Sequence, residues 1–156
     1  MKLVLDASVA VKWAMPFAGE PFTGASLQLL KRHVDGEVEF IVPDVFWAEL
    51  GNVLWKGVRQ RRWRQDAAET VAADMKARNF PSVSSSRLLP EALRIAFAHD
   101  RAVYDCLYVA LAVQSRADLI TADERLANAL AARFPVKWLG AFSFQLRDRS
   151  MWGGHI

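Results

Sequence analysis

Three short apolar runs, Leu3-Val4-Leu5, Phe40-Ile41-Val42 and Leu119-Ile120, set the narrowest limit on how this chain can fold. Each is too short for a helix, lacks polar alternation, and is followed within three residues by an acid. Strands apolar on both faces must be covered on both faces, a property of parallel sheets. Between the runs lie stretches of helical periodicity, so successive strands are joined by helical crossovers. The pattern predicts an α/β sandwich around a parallel sheet. In such folds ligands sit beyond the carboxyl ends of the strands, where Asp6 and Asp123 fall.

Taken in order, the chain opens with a strand to Leu5 and a short helix that stops before Pro16. A loop is expected over 19–24, then an amphipathic helix over 25–34 with Leu27, Leu30 and Val34 on its apolar face. The second strand, 40–42, leads into a helix over 45–59 that carries Phe46, Leu50, Val53, Leu54 and Trp55. Asp66-Ala-Ala-Glu69 matches a capping box opening a helix to about residue 78. A third strand near Val83 precedes a helix expected to start at Pro90. The next helix, 103–112, is apolar almost all round. A fourth strand ends in Thr121-Ala-Asp-Glu124, which reads as a second capping box, and a fifth short strand lies within 135–139. The folded domain is expected over 1–140, with a C-terminal tail over 141–156 that gives no structural signal.

The 156 residues suffice for one domain with a full core, and 53% hydrophobic with 24% charged content marks a globular chain. No apolar run approaches the ~20 residues of a membrane span. Asp6 comes too early for the apolar region of a signal peptide. The single cysteine, Cys106, excludes an internal disulfide and suits a reducing cytoplasm; inside an apolar helix it reads as packing. His33, His99 and His155 have no zinc-site spacing and default to the surface, and the tryptophans default to packing. No glycine-rich phosphate loop or Gly-x-Ser-x-Gly elbow occurs. The net charge of +3 is compatible with a nucleic-acid partner without requiring one.

Four acids stand in awkward company. Asp105 opens the apolar helix with Tyr108 and Val109 as its same-face neighbours, and Glu49 lies on an otherwise apolar helix face. Asp6 and Asp123 follow strands. Each has an ordinary reading as a helix-end acid, except that Glu49 on an apolar face needs a partner. No lysine or arginine is close in sequence on the face each one uses. Four acids over one sheet edge repel one another unless a cation joins them, and an all-oxygen set selects Mg²⁺ or Mn²⁺. Ser8, Asn52 and Thr121 lie two or three residues from an acid and can orient carboxylates or water. Carboxylate-held divalent ions are the means of metal-dependent phosphodiester cleavage. The basic turn of Arg59, Arg61, Arg62, Trp63 and Arg64 reads either as a guide for a polyanionic strand, with Trp63 as a stacking face, or as a solvated helix end.

Four segments resemble the PIN-domain ribonucleases, and among them the VapC type of toxin from toxin–antitoxin pairs: Leu3-Val-Leu-Asp-Ala-Ser8, Glu49-Leu-Gly-Asn-Val53, Tyr104-Asp-Cys-Leu-Tyr-Val-Ala-Leu-Ala112 and Leu119-Ile-Thr-Ala-Asp-Glu124. They keep the family's order and cover about residues 1–140. The resemblance implies a three-layer α/β/α sandwich with a five-stranded parallel sheet and Mg²⁺-dependent endoribonuclease activity. Asp6, Glu49, Asp105 and Asp123 are then the catalytic acids, with Asp6, Asp105 and Asp123 holding the ion and Ser8, Asn52 and Thr121 in support. It also implies an RNA substrate, a homodimer, and a cognate antitoxin that lies across the toxin. A housekeeping RNA-processing nuclease and a non-catalytic RNA-binding module of the same fold stand as alternatives.

Overall fold

The computed structural model describes residues 1–14 and 22–141. Five strands, β1 (Lys2–Leu5), β2 (Glu39–Pro43), β3 (Ser82–Val83), β4 (Asp118–Thr121) and β5 (Val136–Trp138), form one all-parallel sheet in the order β3-β2-β1-β4-β5. Leu3, Val4, Leu5, Phe40, Val42, Leu119 and Ile120 are all buried, as strands covered on both faces require. The longer helices are α1 (Ala7–Ala14), α2 (Thr23–Val34), α3 (Val45–Arg59), α4 (Gln65–Ala77), α5 (Ser85–His99), α6 (Val103–Ser115) and α7 (Glu124–Leu130), and residues 139–141 are also helical. Helix α1 packs on α2 and α3, α3 on α4, and α5 on α6, the grouping that crossovers of the usual right hand give to the two faces of this strand order. Residues 106–112 of α6 are buried without a break, so this helix lies in the core.

Strand order reverses between β1 and β4. The first connections run outward through β2 and β3, and the chain then returns to place β4 on the other side of β1. The loops leaving β1 and β4 therefore diverge and open a crevice at their carboxyl ends.

Local details differ from the sequence reading for identifiable reasons. On α2 the buried residues are Ala25, Ser26 and Leu29, while Val34 is 68% exposed and Leu27 also faces out. Small residues let α2 lie close to α1, and the buried Ser26 hydroxyl is satisfied by donating to the Val9 carbonyl at 2.9 Å. Helix α5 starts at Ser85, leaving Pro90 inside it. Two acceptors satisfy its first amides. Ser84 Oγ accepts from Arg87 N–H at 3.3 Å, and Asp44 Oδ1 accepts from Ser85 N–H at 3.0 Å.

Neither expected capping box forms. Helix α4 begins at Gln65, so Asp66 sits within its first turn and Gln65 Nε2 donates to Glu69. At α7 the cap is Asp123, not Thr121. Trp55 is exposed rather than core, and His33 is half-buried, with Nδ1 2.8 Å from the Val38 carbonyl. His99 closes α5 against Phe134. The expected tail, and His155 in it, lie outside the described residues but for Ala141.

Candidate active site

Asp6 leaves the sheet at the end of β1, its amide donating to the Ile120 carbonyl at 3.2 Å and so prolonging the ladder with β4. Its carboxylate is gripped from both sides of the crevice. Thr121 Oγ1, fully buried at the end of β4, donates to Oδ2 at 2.7 Å, and the Ser8 amide donates to Oδ1 at 3.3 Å. Ser8 Oγ accepts from the Ala122 amide at 3.1 Å, and Thr121 Oγ1 accepts from the Asp123 amide at 3.0 Å. Ser8 and Thr121 thus stitch the β1–α1 turn to the β4–α7 turn. Asp123 caps α7 through Oδ1, 3.2 Å from the Leu126 amide, which leaves its second oxygen for another partner.

Glu49 reaches the crevice from the second turn of α3, and Oε2 accepts from the Tyr108 hydroxyl at 2.7 Å. Asp105 enters from the first turn of α6. The acids act on one another: Asp105 on Asp6, Asp6 and Asp105 on Glu49, and Asp123 on Asp105. Burial is the main cause that lifts the Asp6 carboxyl above its ordinary value, against the hydrogen bonds from Thr121 and Ser8. Burial likewise raises Glu49, to about 6, with the Tyr108 bond opposing and the neighbouring acids adding. Asp105 is raised by burial, with Arg101 opposing and Asp123 adding. For Asp105 the expectation of no basic residue close in sequence on its face is corrected by Arg101, which stands on the α5–α6 connection four residues earlier and acts on it through its charge.

All four predicted acids, with Ser8 and Thr121, therefore meet at the crevice. Asn52 is exposed on α3, and its side chain makes no hydrogen bond with the described residues. Among the described residues no three acids, histidines or cysteines converge closely enough to cage an ion as they stand.

Tyr108 joins the site although its sequence pattern marks it only as core; the signal is that a tyrosine in an otherwise apolar helix needs a buried partner for its hydroxyl. It is 2% exposed and hydrogen-bonds Glu49. Burial, with Asp6 and Glu49 nearby, pushes its phenol far above the usual range, so it is a neutral donor at any working pH.

The four arginines of the basic turn are exposed, while its tryptophan is packed inward. Trp63 is not a free stacking face: it is buried, and its ring fills the space where a Cβ on Gly57 would sit. Arg62 lies over the Trp63 ring at 5.3 Å and Arg59 over Trp55 at 5.2 Å. Arg64 binds Asp66 with two nitrogens, at 3.2 and 3.1 Å. Arg61, in the left-handed region at φ 58°, has no side-chain partner among the described residues.

Comparison with known proteins agrees with this architecture. Residues 3–130 match the PIN domain, and the chain belongs to that family. It is 31% identical over 136 residues to Ribonuclease VapC3 of Pyrobaculum aerophilum, covering 85% of this chain and 97% of that protein. The crystal structure of PAE2754 from the same organism superposes with a TM-score of 0.67 at 21% identity, over 95% of this chain and 99% of that one. VapBC2 from Rickettsia felis, solved bound to a DNA fragment from its promoter, gives a TM-score of 0.60 at 12% identity over 88% and 98%.

Proposed function

We propose that this protein is a divalent-metal-dependent endoribonuclease, the toxin of a toxin–antitoxin pair, acting in the cytoplasm. The observation that carries the reading is the meeting of Asp6, Glu49, Asp105 and Asp123 at the crevice between β1 and β4, where three of them are raised by burial and by one another's charge. Kinship with a ribonuclease named VapC3 supports RNA as substrate.

The donor set fits Mg²⁺ or Mn²⁺: it is all carboxylate and hydroxyl, mutually repelling, and open. Mg²⁺ is commonly held by one or two carboxylates and retained waters rather than by a closed cage. Asp6, Asp105 and Asp123 would hold the ion, which when bound supplies Lewis-acid polarisation of the phosphate and a more acidic water.

The remaining chemistry belongs to the chain. Thr121 and Ser8 fix the Asp6 carboxylate, so its orientation is set before substrate arrives. Glu49, poised near pH 6, accepts a proton from attacking water close to neutrality. Arg61, exposed and unpartnered among the described residues, is the arginine of the basic turn best placed to take a phosphate, while Arg59, Arg62 and Arg64 shape the surface around it.

The VapBC pair among the structural neighbours supports an antitoxin partner. The side of α3 that faces α4 offers two hollows of about 430 and 460 Å³, lined by Trp47, Leu54, Trp55, Val58 and Phe80, that suit apolar side chains of such a segment. Leu89, Phe97, Tyr104 and Val113, exposed on the paired helices α5 and α6, support a homodimer.

The test is cleavage of total RNA by the wild type and by Asp6→Asn, with Mg²⁺ or Mn²⁺ and with chelator. Cleavage by the wild type with metal alone is expected. Metal-independent cleavage, or an active Asp6→Asn, would refute the assignment.

A further inference from the structure

We infer that Tyr108 is a positioning residue that sets how Glu49 faces the reaction; this rests on the nuclease reading above. Glu49 sits on a helix packed outside the sheet, and its long side chain has several rotamers to lose when it is fixed. Only one protein side chain among the described residues holds it, the Tyr108 hydroxyl at 2.7 Å on Oε2. Tyr108 is itself enclosed by packing: it lies 2% exposed within the unbroken buried stretch of α6. The Asp6 carboxylate also lies close enough to act on the same phenol through its charge. The hydroxyl thus holds the Glu49 carboxylate where it stands within reach of Asp6's charge, two acids brought together from different elements.

Tyr108 also lies one turn along α6 from Asp105, on the same face. Helix α6 therefore contributes one acid directly and orients a second. With Oε2 committed to the phenol, Oε1 is the oxygen left to receive a proton from water. A rotated Glu49 would present neither oxygen reliably, and misplacement of about 1 Å at such a site costs on the order of 100-fold in rate.

Tyr108→Phe keeps the ring and removes the hydroxyl. In the full-length protein, kcat for RNA at saturating metal should fall about 10- to 100-fold, with KM and Mn²⁺ affinity within about twofold of wild type. Melting curves without RNA or metal provide a second readout. Tyr108→Phe should lower the melting temperature in the wild-type background and by much less in Glu49→Ala, because the partner is already gone. Wild-type kcat in Tyr108→Phe, loss of Mn²⁺ binding, or equal melting losses in both backgrounds would overturn the inference. If Tyr108→Phe does not fold, Glu49→Asp carries the test. It draws the carboxylate back from the same hydroxyl, and an unchanged kcat would overturn the proposal. Failure of the wild type to cut RNA would instead strike the nuclease reading, while the coupling seen in melting would still report the Tyr108–Glu49 bond.

Discussion

Glu49 and Arg61 show how one side chain's surroundings decide its use. The unfolded chain leaves Glu49 near its ordinary value of 4.5, whereas burial in the fold raises it to about 6; Asp6 and Asp105 move in the same direction. Between the two values the folded state holds more protons than the unfolded one. The contribution of these groups to stability is therefore complete below about pH 4.5 and is lost as pH rises through the folded value. The metal-free protein should lose melting temperature between about pH 4.5 and 6. Asp105→Asn should flatten that slope, which a pH series of thermal melts will show. At Arg61, replacement by Ala should reduce the salt dependence of RNA binding by about 0.7 to 0.9 of a log–log unit, the loss of one phosphate contact. Arg64→Ala should change it less, since its guanidinium is already engaged by Asp66. Equal slopes for Arg61→Ala and wild type would return the turn to a structural role.

Helix ends are where the elements record local choices that sequence patterns miss. Both α5 and α6 finish on a non-glycine residue in the left-handed region, Asp100 and Arg116, each at φ 52°. In α6 the Ala117 amide reaches back to the Ala112 carbonyl at 3.1 Å, so the turn is tight and its hydrogen bonds are made. Arg116 is exposed, and Arg116→Gly should relieve left-handed strain worth about 1 kcal/mol, raising the melting temperature by about 2–4 °C without touching activity. Gly57 is the opposite case. Gly57→Ala would drive a methyl into the Trp63 ring, so it should destabilise the protein and loosen the basic turn.

Strands β1, β2 and β4 and helix α6 were legible because runs apolar on all sides admit few placements. Four acids at strand ends and helix starts were legible because charge in apolar company needs a reason. Other features depend on partners distant in sequence, which periodicity does not register. Asp44 supplies an acceptor to α5, 41 residues away, and helps it start ahead of Pro90. Thr121 serves Asp6 across 115 residues. Tyr108 joins Glu49 across 59.

For the molecule as a whole, a basic chain of net charge +3 gathers four acids at one crevice of the sheet. That concentration of like charge opposes folding unless protons or a cation offset it. An ion that binds only the folded state adds stability in proportion to the logarithm of its concentration over its dissociation constant, and protons compete with it. The most direct measurement is the shift in melting temperature caused by Mn²⁺ at pH 8 and at pH 5, in wild type and Asp105→Asn. A shared ion site at Asp6, Asp105 and Asp123 predicts a rise in the wild type, larger at pH 8, and little or none in the mutant, whose metal-free form should melt at or above the wild type. Equal Mn²⁺ shifts in the two proteins would contradict it, and would leave Asp105 as no more than the acid that opens a buried helix.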